Sequence, residues 1–320
     1  MTAEPSARVP RRPVHGVLLL DKPLGLSAQA AVERVKALLG ADKAGHTGTL
    51  DPLASGLLPV CLGAATKFAQ VQLDADKAYE AVLRLGVRTT TGDAEGQVIA
   101  TAPVDPERLT AARLEELARR FTGVIEQIPP MHSALKKDGK PLYAYARAGV
   151  QVERAPRQVT IHALTLEPMP NDATALRLTV RCSKGTYVRT LAEDLGAALG
   201  CGAHLIALRR TASGPFELAQ AVTLAQLQHS TLQERLRWLR PPEALLQGWP
   251  QVTLEETEAG RFLAGLRRRG RWPDAEAVAV FGLRPRALLG IGRCQGGELI
   301  PVRLLAPTEI AQWLTQTHAS

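Results

Sequence analysis

The sequence predicts an α+β chain that ends in a small, mostly β unit. Three observations carry that expectation. Segments alternating with period two stand among segments of helical period, KAYEAVLRLGV against SAQAAVERVKALLG for example. Short apolar runs bounded by turn residues, GVLLL and GLLPVCLG, read as buried strands. Composition then shifts near PPEALLQG at 241–248, beyond which short strands and glycine turns dominate.

Taken in order, residues 1–15 are polar, with Pro and Arg, and are expected to be disordered. GVLLL is a strand and DKPLG a turn. SAQAAVERVKALLG is a helix with Ser27 as N-cap, Val32, Val35 and Leu39 on one face, and Gly40 just past its end. HTGTLDP is a loop entering the strand GLLPVCLG, and ATKFAQVQL a short amphipathic helix. In KAYEAVLRLGV, Tyr79, Ala81, Leu83 and Leu85 face one side while Glu80 and Arg84 face the other, the mark of a half-buried strand. TTTGDAEG is a turn and QVIAT the returning strand. DPERLTAARLEELARRF reads as one helix opening at Asp105 and Pro106.

The segment at about 127–158 is proline-containing, weakly periodic and basic at Lys136, Lys137 and Lys140, and reads as a mobile excursion. Two strands follow. The second, with Leu176, Leu178 and Val180 in alternation, ends at Ser183-Lys184-Gly185, and a helix begins near Thr186 with Leu191 and Leu195 inward. AHLIALRR is a further buried strand. WPQVTL, AEAVAVFG, RALLGIG and ELIPVRLL, with the helix EETEAGRFLAGL, make the terminal unit of about 70 residues, and LRRRGRW gives it a basic edge.

The chain has 320 residues, 45% hydrophobic and 22% charged, enough to bury a sizeable core. Its net charge is +8, with 30 arginines and nine lysines. Arginine forks suit phosphates, so a polyanionic partner fits. A high-GC genome writes Arg for Lys as well, so charge alone does not establish nucleic acid. Cys61, Cys182, Cys201 and Cys294 form no CxxC pair and the seven histidines are scattered, which argues against structural zinc and for reduced, cytosolic thiols. With no run of 18 apolar residues, a soluble intracellular protein without a membrane partner is expected.

HTGTLDPLASGLLPV holds a single acid, Asp51, with neither metal-ligand spacing nor a phosphate loop's glycines. Alone, Asp before Pro is an ordinary turn former. Taken singly, Arg189 reads as a helix-surface ion pair, Tyr79 as core, His46 as a capping residue and the lysine turn as a solvated face.

Together these residues resemble the TruB family of tRNA pseudouridine synthases, which isomerise uridine 55 in the TΨC loop. The run GVLLLDKPLG, HTGTLDPLASGLLPV, ATKF, DKAYEAVLRLG, TTTGDAEG, IPPMHSALKKDGKPLYAYAR, CSKGTYVRTLAEDLG and GAHLIALRRT follows the family order over residues 16 to 213. The terminal unit resembles the PUA RNA-binding module by arrangement. The resemblance implies the pseudouridine synthase fold, a mixed, mainly antiparallel sheet flanked by helices with a catalytic cleft. It also implies a catalytic domain over 16–246 and an RNA-binding one over 247–320.

It further implies that Asp51 acts on ribose C1′ or its C2′ proton, that Arg189 keeps that carboxylate ionised, and that Tyr79 stacks on the base. Leu208 and Leu50 become apolar walls, Tyr187 of GTYVRT a substrate contact and Asp93 a hydrogen-bonding acid. His46 fills the space left by the flipped nucleotide. Lys136, Lys137 and Lys140 clasp phosphates, with Lys22 and Lys67 near the cleft. His132 departs from the family's usual Tyr. Neither cofactor nor metal is implied, and a cytoplasmic monomer acting on the tRNA T arm without guide RNA is expected. Competing readings are a non-enzymatic RNA-binding protein or tRNA chaperone, and a nucleosidase, for which no second carboxylate stands near Asp51.

Overall fold

A computed structural model describes residues 10–318, so positions 1–9 of the segment expected to be disordered lie outside the described residues. Residues 10–15, grouped with them by composition, are ordered. The Arg12 amide donates to Gly40 O at 2.8 Å, and Val14 and His15 are buried. The polar neighbours mask these two inward residues in the sequence. Contacts divide the chain into two units, one holding the residues up to Asp51, Leu57–Leu73 and the chain from Pro215, the other Pro52–Gly56 and Asp74–Gly214.

In the first unit, strand Gly16–Lys22 lies between Val222–Thr223, its parallel partner, and Ala54–Leu62. Ala44–His46 pairs antiparallel with the far end of Ala54–Leu62, His46 opposite Val60. Helix Ala28–Leu39 forms as its caps dictate: Ser27 accepts the Ala30 amide, and Gly40 closes it at φ 62°. The terminal strands make a five-stranded sheet, ordered Gln251–Leu254, Ala275–Gly282, Ala287–Gln295, Glu298–Leu304, Arg268–Arg269. Val17 and Leu19 of the first strand share one apolar cluster with Phe68, Phe262 and Val280.

Helix Pro307–His318, absent from the sequence reading, meets His15. The His15 amide donates to Gln316 Oε1 at 3.0 Å and Gln316 Nε2 donates to His15 O at 2.9 Å. His15 Nδ1 accepts the buried Ala64 amide at 2.9 Å, which places the neutral ring's proton on Nε2, 3.1 Å from Gln312 Oε1.

In the second unit the strand order is Ala54–Gly56, Ala203–Ser213, Lys77–Leu85, Asp172–Cys182, Arg157–Met169, Gly123–Gln127. Only the first of these pairings is parallel. Helices Val188–Leu199 and Ala111–Arg120 bury Leu191, Leu195, Leu114 and Leu117 with Leu83, Leu176, Leu178 and Val180 of the strands. The fold is thus the mixed, mainly antiparallel sheet with helices, together with a β domain at the C-terminal end.

One sequence expectation is corrected. The stretch opening at Asp105 is not one helix: Thr110, extended at φ −65°, ψ 148°, separates a 3-10 turn at Pro106–Leu109 from helix Ala111–Arg120. The basic excursion carries short elements of its own. Lys136–Lys137 and Lys140–Pro141 form a hairpin over Asp138 and Gly139, both left-handed, and Leu142–Arg147 is a helix.

Gly56, where the two parallel strands meet, has φ +99°, and a Cβ there would stand 2.3 Å from Arg210 O. Backbone strain and backbone collision coincide. Gly56→Ala is expected to cost more than about 2 kcal/mol, read as a lowered denaturation midpoint.

Candidate active site

Asp51 sits in the loop between Ala44–His46 and Ala54–Leu62, half-buried as the last residue of its segment in the first unit. Its surroundings explain how a loop carboxylate acquires a fixed address. Leu50, the preceding residue, is buried, and so is Thr47, whose amide donates to Pro59 O at 3.2 Å. His46, half-buried, accepts the Gly48 amide on Nδ1 at 3.2 Å.

Two lysines expected near RNA have partners inside the protein. Lys22 is fully buried, and its Nζ donates to Pro23 O at 2.9 Å and Leu26 O at 2.6 Å, which fixes the DKP turn and turns the charge away from solvent. A role in direct phosphate contact does not fit that burial. Lys67 donates to Glu309 Oε2 at 2.6 Å and to Leu304 O at 3.1 Å. Burial raises the Glu309 carboxyl, but Lys67 and the Ala306 amide outweigh it and hold the group below its ordinary range.

In the second unit, register assembles one face. Leu208 lies opposite Ala81 and Arg210 opposite Tyr79, so the four side chains project from one side of two adjacent strands. Tyr79 and Leu208 are diagonal neighbours there, both partly buried against the core. On its other flank Tyr79 pairs with Val180. Arg210 is only 1% exposed. The sequence reading assigned it no role, although two adjacent arginines directly after the apolar run Leu205-Ile206-Ala207-Leu208 are the signal that could have found it.

Helix Val188–Leu199 brings Arg189 into the same unit at its second residue. Its guanidinium is buried: Nη1 donates to Asp93 Oδ2 at 3.1 Å and to Thr91 O at 3.3 Å, and Nη2 to His132 O at 2.8 Å. Asp93, 2% exposed, turns its other oxygen to the Thr91 hydroxyl and the Glu95 amide. A pair taken out of water is sustained only when its remaining donors and acceptors are met in this way. Asp93 therefore acts first on Arg189. Tyr187, half-buried, has its amide and carbonyl engaged by the side chain of Gln127, a residue the sequence reading passed over.

Beside Arg189 lies a cavity of about 720 Å³ lined by Thr91, His132, Arg154, Thr190, Glu193 and Asp194 among others. Burial raises the carboxyls of Glu193 and Asp194, with Arg88 opposing the shift at Glu193. Neither acid was singled out from sequence. In the hairpin, Lys136 is exposed, Lys137 donates to Glu153 O at 3.0 Å and Lys140 lies 4.9 Å over the Tyr145 ring. Among the described residues no group of three His, Cys, Asp or Glu could hold a metal ion, and no helix is long and apolar enough to cross a membrane.

Residues 36–188 match the model of the TruB family pseudouridylate synthase N-terminal domain. Residues 189–247 match the tRNA pseudouridylate synthase B C-terminal domain, and 250–305 the pseudouridine synthase II TruB C-terminal model. The chain is 60% identical to a tRNA pseudouridine synthase B of Verminephrobacter eiseniae, over 96% of this chain and 93% of the relative. It is 57% identical to the protein of that name from Ralstonia nicotianae, over 93% and 96%. Among solved structures, a chain of a Cbf5-Nop10-Gar1 complex superposes with TM-score 0.70 at 25% identity, covering 92% of this chain and 86% of that one.

Removing the charge of Arg189 leaves Asp93 buried and uncompensated, so Arg189→Met is expected to destabilise by about 3–5 kcal/mol in chemical denaturation. The Glu309 carboxyl, depressed in the folded state, contributes stability that is present above its unfolded pKa and lost as pH falls through the lower folded value. Lys67→Met should therefore flatten the acid limb of the stability curve below about pH 4.5.

Proposed function

The chain belongs to the TruB family of pseudouridylate synthases, and on that premise we propose that it converts uridine 55 in the TΨC loop of tRNA to pseudouridine. As a pseudouridylate synthase it is an isomerase. The C1′–N1 bond breaks, the base turns, C1′ joins C5, and the C5 proton is lost while N1 gains one. Substrate and product have the same atoms, so the reaction consumes no oxidant and transfers no group to a second molecule.

The observation that carries this reading is Asp51 itself, a half-buried carboxylate between buried Leu50 and the strand-entering Pro52, in a chain whose motifs keep the family order. Such a group either adds to C1′ or takes the C2′ proton, and in both cases offsets positive charge developing on the sugar. Arg189 supplies the cation, its direction set by Asp93. The face carrying Tyr79 and Leu208 offers one aromatic and one aliphatic surface to a flipped pyrimidine. Extruding that base from a folded loop costs a few kcal/mol, and His46 takes the vacated space. Exposed Lys136 and the Arg-rich surface suit the phosphates, and the T arm is recognised chiefly by shape. The enzyme acts as a cytoplasmic monomer, needing no guide RNA, cofactor or metal.

Tritium release from a T-arm stem-loop labelled at uridine C5 tests the proposal. The parent protein should release label, and Asp51→Asn should release it at least about a thousandfold more slowly while still binding the RNA. Equal rates would remove Asp51 from the chemistry. Free uracil among the products would make the protein a hydrolase, and RNA annealing without label release would make it a chaperone.

A further inference from the structure

Gln127 ends the edge strand Gly123–Gln127 and is 3% exposed. Its side-chain amide makes a two-point contact with the backbone of one residue sixty positions away. Oε1 accepts the Tyr187 amide at 3.0 Å, and Nε2 donates to Tyr187 O at 3.3 Å. Tyr187 is the N-cap residue of helix Val188–Leu199 and makes no side-chain cap bond of its own. Gln127 therefore pairs with the backbone at the helix start, where amides lack intrahelical partners. Two bonds from one rigid amide hold the peptide groups on both sides of Tyr187, and so its backbone orientation as well as its place. Arg189 follows two residues later.

The same stretch holds Arg189 a second time. Directly after Gln127 come Ile128, Pro129, Pro130, Met131 and His132, and the His132 carbonyl accepts Arg189 Nη2 at 2.8 Å. Two prolines stiffen this short strap. Arg154 steadies its beginning by donating to Pro129 O at 3.0 Å. Pro130, Met131 and His132 line the 720 Å³ cavity, so on that side empty space, and no packed wall, backs the strap. A residue wanted only to fill the core would be apolar there, since a buried amide is tolerated only when its groups are satisfied.

We propose that Gln127 is a positioning residue for the isomerisation: it sets the start of helix Val188–Leu199, and through it the Arg189 guanidinium, without touching RNA. The inference rests on the enzymatic reading above, and the experiment separates the two. Single-turnover tritium release and KM for the T-arm stem-loop are measured for the parent, Gln127→Leu and Gln127→Glu, with thermal unfolding alongside. Gln127→Leu loses both bonds and should turn over about 30-fold more slowly, with KM within about twofold, as misplacement of a reacting constellation predicts. Gln127→Glu should be as slow at pH 8, where its carboxylate repels Tyr187 O. Relative to the parent it should recover to within about threefold at pH 6, because burial favours a protonated acid that restores donor and acceptor together.

A parent that releases no tritium would sink the enzymatic reading and this inference with it. With an active parent, unchanged rates, a rise in KM at constant rate, or a lowered unfolding temperature at constant rate would each overturn the positioning role alone. Should Gln127→Leu not fold, the glutamate variant decides, and no relative recovery at low pH overturns the proposal.

Discussion

Arg189 and Asp93 are joined where water scarcely reaches, and a buried ion pair is costly unless its remaining donors and acceptors are met. Much of the second unit is arranged to meet them. Thr91 contributes a hydroxyl to the acid and a carbonyl to the base, Glu95 lends its amide, and His132 closes the arginine's other nitrogen. Those groups come from the TTTGDAEG turn and the IPPMH strap, which have no contact in sequence. The pair thus ties two loops and one helix together at a single guanidinium.

Much of this was legible in advance where a local rule acts alone. Ser27 and Gly40 bound their helix because capping is chemistry among neighbours. Alternation from Lys77 to Leu85 gave both the strand and its inward face. The turn at Asp138-Gly139 is legible in its residues, whereas the helix Leu142–Arg147 beside it is concealed by the prolines and weak periodicity of its surroundings. Thr110 was the converse: helix formers on both sides outvoted a residue that caps a new helix instead of continuing the old turn.

The rest was not legible because its causes are distant. Lys22 and Lys67 look alike in sequence, two lysines near a candidate cleft, yet one is sealed beneath its own turn and the other is matched to Glu309 over 200 residues later. Arg210 is tolerated in a buried strand by partners that periodicity cannot report. Gln127 is the clearest case, since a glutamine at a strand end carries no signal until the peptide it meets is known. The motifs name the candidate residues, and the groups packed against them become visible only in the fold.

The bonds between His15 and Gln316 join residues 301 positions apart. Val17 and Leu19 of the first strand share their apolar cluster with Phe262 and Val280, so on the ribosome they wait for neighbours made much later. Native closure of this part consequently awaits those later strands, with the slow, aggregation-exposed search that distant pairings entail.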